Sequence, residues 1–247
     1  MIKHIEAFLA SKTISENTLK SYRYDLNQFL TLIDHKLSDE KLVLYQKSLN
    51  HLSASAKKRK FSTVNQFLHY LYKVNVTDRF FELSGKVSLP STKVPFTYQL
   101  DDKRFYQKTQ HPNGQLIALL ILELGLLPSE LSKLRISEID LDFQLIRVDN
   151  GSTVKVLSFS QAFLKHLSEM EVGSTYLFEN KGKPYSRQWF FNQLNAFLLE
   201  IGYDQLSAQS LREQFIIREK EKGTSLMELT QKLGLKSPIT LEKYYRL

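Results

Sequence analysis

Residues 84–97 (Ser-Gly-Lys-Val-Ser-Leu-Pro-Ser-Thr-Lys-Val-Pro-Phe-Thr) interrupt a chain that is otherwise strongly periodic. Pro90 and Pro95 have no amide hydrogen to give a helix, and they push the residues before them toward extended backbone. Length alone allows one large domain or two small ones. The break favours two: a first domain over 1–83, a linker over 84–97 and a second domain over 98–247. Charge follows the same division. Residues 1–95 hold 15 basic side chains against 8 acidic ones, whereas residues 96–247 hold 19 against 18. A strongly basic small domain points to an anionic partner, and nucleic acid is the first candidate for a helical chain without cysteine. The plainer alternative is a surface kept soluble by lysines.

Over the first 80 residues apolar side chains recur at steps of three and four. Thr13-x-x-Glu16 has the form of a capping box. Behind it Leu19, Tyr22, Leu26, Phe29, Leu30 and Ile33 mark one face of a helix. Ser38 opens a second helix, with Leu42, Tyr45, Leu49 and Leu52 on its buried side. A third carries Phe61, Val64, Phe67, Leu68 and Leu71, and its first turns hold Lys57, Lys58, Arg59 and Lys60. Four consecutive cations cannot all face a core. The run is a candidate DNA-binding patch that contacts phosphates, and a solvated helix face is the alternative.

The second domain reads as mixed. Residues 114–124 form a helix buried nearly all round, stopped by Gly125 and restarted at Pro128-Ser129-Glu130. Phe143 to Val148 and Thr153 to Phe159 flank Asp149-Asn150-Gly151-Ser152, whose Asn-Gly pair favours a tight β-hairpin turn. Helices follow near 161–170, 186–201, 210–222 and 225–233. The expected class is mainly α with a small antiparallel β-sheet. With 16 Phe and 12 Tyr, disorder is disfavoured. No apolar run approaches the roughly 18 residues of a membrane span. The first residues lack a signal pattern, so a cytoplasmic protein is expected. Without cysteine there is no disulfide, zinc-thiolate site or thiol nucleophile.

Ser207-Ala208-Gln209-Ser210-Leu211-Arg212-Glu213-Gln214-Phe215, then Leu233-Gly234-Leu235, then Tyr244 stand in the order that resembles the tyrosine recombinase (phage integrase) family. The likeness is greatest to Xer-type members, and among them to the degenerate XerD-like ones. Gly125-Leu126-Leu127-Pro128-Ser129-Glu130-Leu131 followed by Leu134-Arg135 resembles the family's first arginine box, and the hairpin resembles the one that carries its lysine. The resemblance covers nearly the whole chain. It implies a helical SAM-like core-binding domain followed by an α+β catalytic-type domain, with double-stranded DNA as partner. In this family a tyrosine oxygen attacks a DNA phosphodiester, two arginines clamp the non-bridging oxygens, and a lysine protonates the leaving oxygen. Side-chain cations do the work, so the resemblance implies no metal, cofactor or small-molecule substrate.

Several family positions are altered. The first-arginine position is Leu127, the hairpin-lysine position Asn150, the first histidine of the second box Gln209, and the late histidine or tryptophan position Leu235. Glu213 follows the second arginine where histidine is common, and its carboxylate would repel a phosphate. Arg212 and Tyr244 are retained as catalytic-type positions, and Lys155 on the second hairpin strand is a candidate substitute for the missing lysine. Losing one preorganised donor typically costs about 10²–10³ in rate, and here several are missing together. The expected function is a recombinase-fold protein that binds duplex DNA and cuts or rejoins it weakly or not at all. The alternatives are an active recombinase with a rebuilt site around Tyr244, and a module that modulates another recombinase. Three residues follow Tyr244, where family members usually carry a tail that docks on a neighbour, which points to a monomer or to assembly with a complete partner recombinase.

Overall fold

The computed structural model describes residues 1–85, 99–149, 151, 153–170 and 172–245. Most of the expected linker and Asn150 lie outside these residues. The chain divides into two compact units, Met1–Lys93 and Val94–Leu247.

The first unit is helical: α1 (Lys3–Ala10), α2 (Glu16–Leu32), α3 (Asp39–Ser48) and α4 (Ala54–Lys73). Serine hydroxyls start three of them. Ser15, Ser38 and Ser53 accept the amides of Thr18, Lys41 and Ala56. The capping box expected at Thr13 is therefore displaced. Ser15 is the extended residue before the helix, and Glu16 instead pairs with Lys20 one turn on, at 2.7 Å. The expected apolar faces meet in one core, where Phe29 packs edge-on to Tyr45 at 4.9 Å and Phe8 to Phe67 at 5.4 Å.

The second unit begins with α5 (Asp102–Phe105), α6 (Pro112–Leu124) and α7 (Pro128–Leu131). Gly125 adopts φ 65°, a left-handed cap that a side chain would strain, and so ends α6 where the sequence suggested. A three-stranded antiparallel sheet follows in the order β1 (Ile139–Asp140), β2 (Leu145–Asp149), β3 (Val154–Ser158). The hairpin is present, but Asp149 pairs with Val154, so the connection runs over 150–153 and is longer than a two-residue Asn-Gly turn. Then come α8 (Gln161–Ser168), a short ribbon of β4 (Glu179–Asn180) and β5 (Lys183–Pro184), and α9 (Arg187–Glu200). The chain closes with α10 (Ala208–Glu221), α11 (Leu226–Lys232) and α12 (Ile239–Tyr245). The main core surrounds α6, whose side chains are buried on nearly every face. A smaller cluster, including Phe215, Leu229, Leu233, Leu241 and Tyr244, ties α10 to α11 and α12.

Candidate functional site

Alternation along β3 decides where Lys155 goes. Val154, Val156 and Ser158 face solvent, while Lys155 and Leu157 face inward. The Lys155 stem passes Gly234, where an added Cβ would lie only 2.9 Å from the Lys155 Cδ. Its ammonium donates to Glu130 Oε1 of α7 at 2.5 Å, and both groups are buried. The other Glu130 oxygen accepts the Leu127 amide at 2.8 Å. Glu130 thus ties the start of α7 to the inner face of the hairpin.

Arg212 lies in the second turn of α10 and is only 7% exposed. Glu130 and the Tyr244 hydroxyl both favour its protonated form, and Arg212 in turn disfavours the charge on Lys155. The structure therefore gathers Lys155, Glu130, Arg212 and Tyr244 from β3, α7, α10 and α12. Burial lowers the proton affinity of both Lys155 and Arg212, with Glu130 opposing the shift in each. Arg212 Nη1 is buried without a hydrogen-bond partner.

Tyr244 is 3% exposed. Burial pushes its hydroxyl well above the ordinary tyrosine range, the Glu213 charge adds to this, and Arg212 opposes it. Glu213 accepts from Gln209 Nε2 at 3.0 Å and lies 3.6 Å from Lys243 Nζ. Leu235 is half-buried against the small C-terminal cluster. Leu127, at 38% exposure, presents an apolar side chain just before α7. Arg135 sits over the Tyr176 ring at 5.6 Å.

In the first unit the basic run splits. Lys58 is exposed, and Lys57 donates to Asn50 Oδ1 at 2.8 Å. Arg59 and Lys60 both turn to Asp25, a fully buried carboxylate on α2, at 2.9 and 2.8 Å. Lys60 also donates to Gln28 and is itself buried, which corrects its place in a surface patch: an acid sealed in a helical core requires a cation beside it. Asp25, Glu130 and Glu213 are the groups sequence reasoning missed or left without a partner. Asp25 had a signal, because it interrupts the apolar stripe of α2.

Residues 99–247 match the phage integrase family, and residues 3–75 match the phage integrase N-terminal SAM-like domain. The chain belongs to the phage integrase family of tyrosine recombinases, in its Xer-type branch. It is 98% identical over 247 residues, the whole of both chains, to the tyrosine recombinase XerD-like protein of Streptococcus uberis (strain ATCC BAA-854 / 0140J). Among solved structures, XerH site-specific recombinase bound to difH substrate, a pre-cleavage complex, is similar with a TM-score of 0.74 at 16% identity, covering 99% of this chain and 80% of that one. The Tn1549 transposon integrase in complex with a circular intermediate DNA gives 0.73 at 13% identity, covering 99% and 94%. These likenesses concern the fold. The tyrosine-recombinase fold, mainly α with small antiparallel sheets, is as the sequence resemblance implied. Among the described residues no helix is long and apolar enough to cross a membrane.

Proposed function

We propose that this chain is a duplex-DNA-binding member of the tyrosine recombinase family that does not cut or rejoin strands on its own. The observation that carries the reading is the commitment of the charged groups left at the reaction centre. Lys155 is bound to Glu130, Tyr244 is buried, and the first-arginine position is the apolar Leu127. A phosphate undergoing attack would find one guanidinium, Arg212, where two cationic clamps and a lysine acid are needed. Binding is less demanding than catalysis. The exposed Lys58 and the basic balance of residues 1–95 supply cations for a double helix. In this reading residues 1–83 and 98–247 act as separate DNA-contacting domains in the cytoplasm, alone or beside a complete recombinase.

Titration of labelled duplex over a salt series tests binding, which should weaken steeply as salt rises. A nicked suicide substrate tests cleavage, and no covalent protein–DNA adduct should form. Absence of binding at low salt, or a clear adduct, refutes the respective half of the reading.

One observation favours a second reading, a rebuilt active site: Lys155, Arg212 and Tyr244 converge although they come from three elements. That reading predicts an adduct abolished by both Tyr244→Phe and Lys155→Met.

A further inference from the structure

Asp25 of α2 is one fully buried carboxylate shared by two cations of α4. The Lys60 ammonium donates to its Oδ1 at 2.8 Å, Arg59 Nη2 donates to the same oxygen at 3.3 Å, and Arg59 Nη1 lies 2.9 Å from Oδ2. Lys60 also meets the Gln28 oxygen at 2.6 Å and lies over the Tyr24 ring at 5.5 Å, both neutral groups. The cluster thus sets two positive charges against one negative charge. A protein interior holds charge only in balance, so the excess has to reach the surface. Lys60 is buried and does not reach it. Arg59 does: its side chain is 44% exposed although its terminal nitrogens rest on Asp25. A guanidinium carries five N–H donors, and Asp25 engages one edge of the fork. Exposed Lys58 is its neighbour on α4.

We infer that Asp25 is a positioning residue for DNA binding: it grips the inner edge of Arg59, so that the outer edge meets a backbone phosphate of the duplex already oriented. This deepens the DNA-binding reading and rests on it. An arginine loose in water gives up rotamer freedom when it meets a phosphate, whereas one anchored on a buried carboxylate has given that freedom up on folding. A planar fork serves two anions on two edges, which a compact ammonium does not reproduce. The phosphate then supplies the second negative charge that the cluster lacks. The sign of the effect runs against bulk electrostatics. Asp25 is an acid in the basic part of the chain, yet its loss should weaken binding to an anion.

The test uses the full chain and titrates labelled duplex over a salt series. Asp25→Leu with Lys60→Met exchanges one acid and one base for apolar side chains, a replacement that buried ion pairs tolerate. Net charge is unchanged and Arg59 remains without its anchor. Circular dichroism establishes that the double variant is folded. Its affinity at low salt should fall about five- to tenfold, and its salt slope should drop by about one phosphate contact despite the unchanged charge. Arg59→Ala should cost about tenfold in the wild type and less than about twofold in the double variant, because the anchor and the arginine act as one unit. If the double variant does not fold, Arg59→Lys decides: it keeps the charge and loses the two-edged fork, and it should bind about fivefold more weakly than wild type. Wild-type affinity and slope in the folded double variant, or wild-type affinity in Arg59→Lys, overturns the inference while duplex binding itself stands. Failure of the wild type to bind duplex at any salt removes the DNA-binding reading, and the inference with it.

Discussion

Lys155 and Glu130 are both withdrawn from water, so removing one leaves the other as a poorly solvated charge. Lys155→Met should destabilise the chain by about 3 kcal/mol, at the low end of the range for breaking a buried pair because Arg212 also acts on Glu130. Adding Glu130→Gln should recover much of that loss, and urea denaturation of the two singles and the double measures the coupling. A second outcome belongs to Leu127. Leu127→Arg returns a guanidinium to the family's first-arginine position, and it should strengthen duplex binding without producing an adduct. Arg212 and one added arginine still face a lysine tied to Glu130 and a buried tyrosine. Adduct formation by Leu127→Arg alone would show that one missing donor is the whole deficit.

Elements in the second unit are fixed by small polar devices as much as by apolar faces. The turn before β4 is one. Glu179 accepts the amides of Thr175 and Tyr176, at 2.9 and 2.8 Å, and the Ser174 hydroxyl at 3.0 Å. These donors hold its carboxyl down to about 2. A carboxyl depressed in the folded state adds stability that is present above its ordinary value near 4.5 and is lost as pH falls through about 2. Glu179→Gln should therefore melt lower than wild type at neutral pH, and the difference should disappear on acidification across that window. A thermal-melt series in pH checks this. His166 at the end of α8 works with the same sign. Burial lowers its proton affinity and leaves Nε2 without a partner, so acidification through the ordinary imidazole range favours the unfolded chain. His166→Phe should flatten the loss of stability between neutral pH and about pH 5.

At the scale of the whole molecule the asymmetry of charge matters most. Residues 1–95 carry nearly all of the net charge of +8. Of the basic run on α4, only Lys57 and Lys58 are free of Asp25. Reversing both, Lys57→Glu with Lys58→Glu, should weaken duplex binding more than tenfold at low salt and flatten its salt dependence. The melting temperature should fall only modestly, because Lys58 is exposed and Lys57 gives up one hydrogen bond to Asn50 and one contact with the Phe61 ring. Lys60→Glu should instead unfold the first unit, since it would set two carboxylates side by side with Asp25 already fully buried. Circular dichroism separates these two results.

Local rules determined the elements. Steps of three and four, serine caps, Gly125 and the alternating strands recur in α2, α4, α6 and the hairpin because each depends on neighbours within a turn or one strand pairing. The ordered boxes around Leu127, Arg212 and Tyr244 likewise made the family legible, since order along the chain survives without coordinates. Partner choice was different. That Lys60 belongs to Asp25 and Lys155 to Glu130 depends on side chains 35 and 25 residues apart meeting in a medium that stabilises a charge only through its companion. A lysine reads the same in sequence whether it meets water or a buried carboxylate, so only the packing of helices and strands decided which cations remain free for an anion.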